Sequence, residues 1–457
     1  MTLWGGRFTD TPGGALWAFT VDHSDRRLLP DDVRGSKAHA AMLEHVGLIS
    51  SENAALIQEG LALIEDEIVR DEFVFTDGDE DVHSAVERRL AELIGVAAGQ
   101  LHTGRSRNDQ VVLDMRLYLG RTGAGRMAQL RDFVEVLTER AGETAGIVVP
   151  TYTHLQQAQV GTLGHHLLAY AWMLLRDIDR FDACLIRIAE SPLGAGASAG
   201  SSLPLDPDMV ASSLDLPGIF ANSLDAVASR DFVAEYIFCC AQAMTHLSRL
   251  AEELVLWGTV EFGWATYRDR DTTGSSALPQ KKNPDPAELA RGKAAAVLGD
   301  LSAILALQKG LPLSYNRDLQ EDKRLLFHAD DTLAGALAAL LDMVAGATFH
   351  PSPPSAWSTA LEFAEVLVSR GVPFREAHEV VGRLVTTLLE SGRGLEEVRK
   401  EDLASSHDVF QAEDVSLADP NRSVSRRVTP GSGSSESVFA QIEQIAAVLD
   451  EGGKEGT

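Results

Sequence analysis

The chain is short of lysine: it has eight, against 32 arginines. Acidic residues number 67 against 40 basic ones, for a net charge of −27. That balance disfavours a nucleic-acid partner, because phosphate backbones are held by basic fields. Two readings of the acidity stay open. An acidic surface keeps a protein hydrated in a high-salt cytoplasm, and an ordinary enzyme can also be acidic. Cysteine is scarcer still, at Cys184, Cys239 and Cys240. The number is odd, two are adjacent inside an apolar helical pattern, and none has zinc spacing. Buried core thiols are expected, without a disulfide framework. No uncharged apolar run reaches the roughly 18 residues of a membrane span. The start, Met1 to Phe8, lacks the charged and apolar blocks of a secretory signal. A soluble cytoplasmic protein with no membrane partner is therefore expected. Alternating strand patterns are missing too, as are internal repeats and low-complexity tracts.

What is present is helical periodicity. Hydrophobic residues make up 45% of 457, enough for a substantial core in two or three domains. Residues 1–30 read as a glycine-rich, irregular arm. Helical patterns with period 3.6 follow. They cover 31–47, a helix capped by Ser50 or Ser51, and 82–94. Long helices are expected over 109–145, from after residue 159 to about 190, and over 231–262, 285–311 and 320–347. Pro351, Pro353 and Pro354 mark a boundary, and shorter helices are expected near 355–369, 373–391 and 435–449. The expected fold is all-α. An N-terminal helical domain with its arm (1–108) and a C-terminal small helical domain (355–457) flank an elongated bundle of long central helices (109–354).

One loop stands out. Residues 274–285 read Gly-Ser-Ser-Ala-Leu-Pro-Gln-Lys-Lys-Asn-Pro-Asp. Opening on Gly-Ser-Ser and closing on Asn-Pro, the stretch is expected to be neither regular helix nor strand. It spends two of the eight lysines on one loop. Glycine, hydroxyls, ammonium groups and an amide together can hold a small carboxylate and move a proton beside it. A second stretch, His-Thr-Gly-Arg-Ser-Arg-Asn-Asp-Gln over 102–110, precedes a helix. A helix N-terminus with two arginines suits an anion. In a third, Thr-Tyr-Thr-His-Leu-Gln-Gln-Ala-Gln over 151–159, His154 is expected at the start of the next long helix. His165 and His166 read as structural. His83 and Glu87 share a helix face. With no further ligands clustered nearby, a polar pair at a site edge or a local hydrogen bond is expected there rather than a metal pair. The glycine-rich 194–200 follows no strand, so it reads as an interhelical loop rather than a phosphate loop.

Residues 274–285 resemble the signature of the fumarase/aspartase superfamily of carbon–heteroatom lyases. Within it, 102–110, 152–159 and 274–285 are specifically similar to the argininosuccinate lyases, as are 3–8 and 315–323. The resemblance runs over essentially the whole chain. It implies elimination of fumarate from argininosuccinate to leave arginine, the last step of arginine biosynthesis, with no cofactor and no metal. Carried over residue by residue, it makes Ser275 the base, with Lys281 supporting its alkoxide and Asn283 holding the carboxylate. His154 becomes the acid and Glu288 its orienting partner, and the serine and histidine roles are exchangeable at this level. Asn108, Thr153, Tyr315, Gln320 and Lys323 match substrate-holding positions. Arg105 and Arg107 are weaker candidates, for which surface or subunit ion pairs are the alternative. In the arm, the family's serine contact is missing from 20–25; either Asp22 or Ser24 replaces it or the arm sits differently, and the contact is left unassigned. The family assembles as a homotetramer with each site shared by three subunits. The spacing agrees: about 37 helical residues, some 55 Å at roughly 1.5 Å each, separate Asn108 from His154. Adenylosuccinate lyases, aspartases and a crystallin-like structural role of the same fold are the competing readings.

Overall fold

The structure, a computed structural model, describes residues 13–452. The matched run 3–8 lies outside the described residues. The chain divides into two compact units, each discontinuous in sequence. One gathers the residues up to Met127, Asp179–Gln242 and Ala294–Ala334; the other gathers Ala128–Ile178, Ala243–Lys293 and Gly335 onward.

In the first unit the arm is more ordered than its glycines predict. It forms α1 (Gly14–Thr20) and a 3-10 turn over His23–Leu28. Asp22 starts that turn by accepting from the Ser24 amide at 3.0 Å. Helices α2 (Leu29–His45), α3 (Ser51–Val69) and α4 (Val82–Ile94) pack behind it. Their ends follow local chemistry. Ser50 caps α3 by accepting from the Asn53 amide at 3.2 Å. Asp81 and Ser84 close a reciprocal cap on α4, a device that stabilises a helix start by about 1 kcal/mol. Helices α3 and α4 approach closely at Gly60, where a Cβ would lie 2.5 Å from Leu90 Cδ1. Leu61, Ile64 and Leu90 are fully buried there.

Five long helices contribute residues to both units: α5 (Arg107–Glu143), α6 (Leu163–Ile188), α9 (Asp231–Trp257), α10 (Asp285–Gln308) and α11 (Asp322–Gly346). The short α7 (Pro207–Ser213) and α8 (Ser223–Ala228) lie between α6 and α9 in sequence. Helix α10 carries apolar side chains at exposed as well as buried positions. Ala287, Ala290, Ala294, Val297 and Ile304 are buried, whereas Leu289, Leu298 and Leu305 are 59%, 49% and 55% exposed.

The second unit holds the main departure from an all-helical pattern. Strands β1 (Val148–Thr153) and β2 (Gln156–Thr162) form an antiparallel hairpin before α6. The sequence hid it, because Pro150 interrupts β1 and the two-residue turn has neither glycine nor asparagine. Two further two-residue pairings are formed by β3 (Ala265–Thr266) with β6 (Thr348–Phe349) and by β4 (Thr273–Gly274) with β5 (Lys282–Asn283). The ends of the 274–285 loop are thus paired strands, contrary to expectation. Two ladder pairs suffice to close its base, and Pro284 falls just outside them. Helices α12 (Ala360–Ser369), α13 (Phe374–Glu390), α14 (Lys400–Ser406), α15 (Pro420–Ser425) and α16 (Ser435–Gly452) complete the chain. Phe363, Leu367, Leu384, Leu388, Leu403 and Phe410 build a core of their own within 363–418. The fold is all-α, and its strands serve as short clasps. Among the described residues no helix is long and apolar enough to cross a membrane. All three cysteines are buried and free.

Candidate active site

A cavity of about 300 Å³ lies in the first unit. It brings together four of the expected substrate-holding residues: Asn108 from the first turn of α5, Tyr315 and Gln320 from the segment before α11, and Lys323 in the first turn of α11. Asp22, Asp25, Glu80, Asp81, His83, Arg107 and Arg317 also line it. Of the two arm candidates, Asp22 therefore reaches the cavity. Ser24 instead donates its hydroxyl to Asp22 Oδ2 at 2.9 Å. The arm is tied down at Thr20, whose carbonyl accepts from Arg317 Nη2 at 2.7 Å and Gln320 Nε2 at 3.0 Å.

The charges here are arranged in layers. Arg107 pairs with Asp81 at 3.2 Å and Glu87 at 2.8 Å. Burial opposes the charge on Glu87, but His102 and Arg107 hold its carboxyl down to about 2. Asp25 accepts from the Val82 amide at 3.0 Å, yet burial raises its pKa. Lys323 Nζ donates to Asp322 at 3.0 Å, and the fully buried Arg230 pairs with the same carboxylate. Burial opposes the charge on Asp322, and these two cations outweigh it. Two buried polar atoms of the lining, Asp25 Oδ1 and Arg107 Nη2, meet no hydrogen-bond partner among the described residues. The lining thus offers both signs of charge to one small ligand.

Beneath the cavity, His83 does not bond Glu87. Its Nδ1 lies 3.0 Å from Asp32 and 3.4 Å from Asp114, with all three side chains buried. The expectation that no ligand-type groups cluster near His83 is corrected. Three helices, α2, α4 and α5, converge there from distant sequence, and sequence spacing does not show it. Burial works against the charge on Asp32, but His83, Arg105 and Gln110 keep its pKa low. Asp114 is raised well above the usual range by burial and by the neighbouring Asp32. Arg105 is no surface residue. It is 7% exposed and donates to Ser36 Oγ at 2.9 Å.

The remaining candidates, Thr153, His154, Ser275, Lys281, Asn283 and Glu288, belong to the second unit. His154 is not at a helix start. It and Leu155 form the turn of the β1–β2 hairpin, both with positive φ, 56° and 57°. That is the pattern of a type I′ turn, which glycine and asparagine normally fill. Such strain in a histidine and a leucine points to a functional site. Thr153 and His154 are exposed. In the 274–285 loop, Ser275 Oγ accepts from the amides of Ala277 at 3.2 Å and Leu278 at 3.0 Å. Lys282 is committed to the stem, on Asp269 at 2.6 Å and the Tyr267 carbonyl at 3.1 Å. Among the described residues no ion pair holds Lys281. Asn283 ends β5, and Glu288 is exposed in the first turn of α10. Among the described residues no hydrogen bond joins Ser275, His154 and Glu288.

A lyase family matches residues 6–299, and an argininosuccinate lyase C-terminal family matches residues 357–425. The argininosuccinate lyase of Symbiobacterium thermophilum is 45% identical over 453 residues, covering 98% of both chains. The chain belongs to the argininosuccinate lyase family. That of Roseiflexus sp. is 45% identical over 456 residues, covering 98% of this chain and 100% of the relative. Among solved structures, an EDDS lyase in complex with formate superposes with a TM-score of 0.82 at 30% identity, covering 95% of this chain and 88% of the other. A class II fumarase from Schistosoma mansoni shares the fold at 18% identity and a TM-score of 0.75, covering 88% and 91%. Membership in the argininosuccinate lyase family thus agrees with the all-α architecture read from the sequence.

Proposed function

We propose that the protein cleaves argininosuccinate into arginine and fumarate. The observation that carries this is the mixed-charge cavity lined by Asn108, Tyr315, Gln320 and Lys323 in a chain of this family. Argininosuccinate bears carboxylates and a guanidinium, and a cavity offering Arg107, Lys323, Asp25 and Asp81 can meet both signs. The elimination removes a proton from the carbon beside a succinyl carboxylate. It gathers negative charge on that aci-carboxylate, then expels the guanidinium nitrogen as the double bond forms. Fixed donors lower such a barrier where the charge develops. Ser275 takes the proton, and Lys281 and Asn283 stabilise the aci-carboxylate. The two amides already at Ser275 Oγ support this, since an alkoxide needs such donors. His154 protonates the departing nitrogen, Glu288 orients it, and Thr153 holds substrate beside it. If Ser275→Ala still exchanged the substrate C–H proton with D₂O, the base would be His154 instead.

The active form in this reading is a cytoplasmic homotetramer with each site shared by three subunits. Two features support it. The 37 residues of α5 span about 55 Å, with Asn108 at the start and the His154 hairpin following the end. The exposed leucines of α10 suit cover by further copies of the chain. The same proposal divides the chain into 1–108, 109–354 and 355–457, and the C-terminal family match from 357 supports the last boundary. The acidity supports a high-salt cell, in which the melting temperature rises from low-salt buffer to molar KCl; a flat response contradicts that part. The test of function is fumarate absorbance on adding argininosuccinate, beside adenylosuccinate and aspartate. Release from argininosuccinate alone is expected. Silence with argininosuccinate in both low and high salt defeats the proposal.

A further inference from the structure

We propose that Asp109 is a positioning residue: by tying the start of α5 to the glycine-rich segment 194–200, it fixes where Asn108 stands in the cavity. The proposal rests on the reading that Asn108 holds substrate.

Asp109 is fully buried. Among the described residues no arginine or lysine forms an ion pair with it, although Arg105 lies near enough to lower its pKa; backbone amides hold its carboxylate instead. Oδ1 accepts from Ser106 N at 2.8 Å. Oδ2 accepts from Gly196 N at 2.8 Å and Gly194 N at 3.3 Å. A carboxylate that accepts several amides is held in place, and the amides partly offset the burial that raises the Asp109 pKa. Both glycines have positive φ, 105° and 62°, a region where side chains are strained. Neither has room for one. A Cβ on Gly194 would lie 2.7 Å from Pro207 Cγ, and one on Gly196 would lie 3.0 Å from the Gly200 carbonyl oxygen. Successive amides that would cradle a phosphate in a nucleotide loop here cradle the protein's own carboxylate.

The segment passes this anchoring back to the cavity. The carbonyl of Ala197, the residue after Gly196, accepts from Asn108 Nδ2 at 2.8 Å. The Asn108 amide in turn donates to Ser106 Oγ at 3.2 Å. Asp109, Gly196, Ala197 and Asn108 therefore close a ring of covalent and hydrogen bonds. The lock on the Asn108 side chain is only as firm as the grip of Asp109 on Gly196.

A double-mutant cycle tests this on the full-length protein with argininosuccinate as substrate. Asp109→Asn is nearly isosteric but replaces one acceptor oxygen with an amide group. It is expected to raise KM about tenfold, with a smaller change in kcat and an unchanged oligomeric state. In the Asn108→Ala background the same substitution is expected to add less than about twofold, because the group it positions is gone. A general loosening of the fold would multiply the loss equally in both backgrounds, and that result overturns the proposal. So does an unchanged KM. Gly196→Ala disturbs the same clamp from the loop side, keeps the test open if Asp109→Asn folds poorly, and is expected to show the same raised KM and the same non-additivity. No fumarate from the wild-type chain fails the functional reading and the proposal with it. Active wild type with additive variants fails the Asp109 proposal alone.

Discussion

The two groups of candidate residues are held in opposite ways. The cavity of the first unit rests on a buried lattice of charge: Asp32, His83, Asp114 and Arg105 below it, Asp322 and Arg230 behind Lys323. Of the candidates of the second unit, His154, Ser275 and Lys281 sit in the loops of two hairpins, with His154 and Lys281 exposed. Binding groups gain from being fixed before substrate arrives, and so their supports are buried. In the proposed function the groups that move protons must reach a ligand held elsewhere, and hairpin tips can close on it. The Ser275, His154 and Glu288 set has no internal hydrogen bond of its own, whereas the cavity has its supports in place.

This contrast can be broken or sharpened by substitution. The largest effect is expected at the hairpin tip: Ser275→Ala should cut kcat by about a thousandfold or more while substrate still binds. Comparable loss of turnover and binding together would place Ser275 among the binding groups. On the cavity side, Lys323→Met should raise KM about thirtyfold or more, because it deletes a cation and leaves Asp322 short of one partner. A kcat effect with KM untouched would assign Lys323 to the chemistry. Buried polar groups also make the first unit acid-sensitive. Burial, aided by Arg105, lowers the His39 pKa from 6.5 to about 3. Below pH 6.5 the unfolded chain takes up a proton that folded His39 refuses, and stability therefore falls as pH drops from 6.5 toward 3. The slope should reach about 1.4 kcal/mol per pH unit. Denaturant melts across that window check it, and His39→Gln should remove one proton's worth of slope. The smallest effect is expected at the surface. Glu67 pairs with Arg89 on partly exposed helix faces, and Glu67→Gln should cost no more than about 1 kcal/mol. A larger loss there would remove the distinction between buried lattice and surface pairs.

The sequence was most legible where local chemistry decides. The ends of α4 are set by Asp81 and Gly95, and the bounds expected from the sequence, 82–94, are those observed. The long helices were read from their apolar period to within a few residues, α9 excepted, which ends at Trp257 rather than 262. The β1–β2 hairpin was missed because its turn breaks the usual residue rule: His154 and Leu155 take positive φ that only tertiary context can impose. The lattice under the cavity was equally illegible. Asp32, His83 and Asp114 share no periodicity, and only the packing of three helices brings them together. Asn108, Tyr315, Gln320 and Lys323 are reached through matched stretches, not through any pattern of their own, whereas Asp25 and Glu80 lie outside those stretches. Asp109 lay in such a stretch, yet nothing in its spacing marked it as the anchor of a loop some 85 positions later.

In the proposed function the two groups act in one site contributed by different subunits. Mixing two inactive variants tests it most directly. Lys323→Met and Ser275→Ala proteins are dissociated, mixed and reassociated, and fumarate release from argininosuccinate is followed. Shared sites predict recovered activity, because some sites in mixed tetramers draw both intact residues from different chains. Mixed tetramers that form and stay as inactive as either parent would contradict the account.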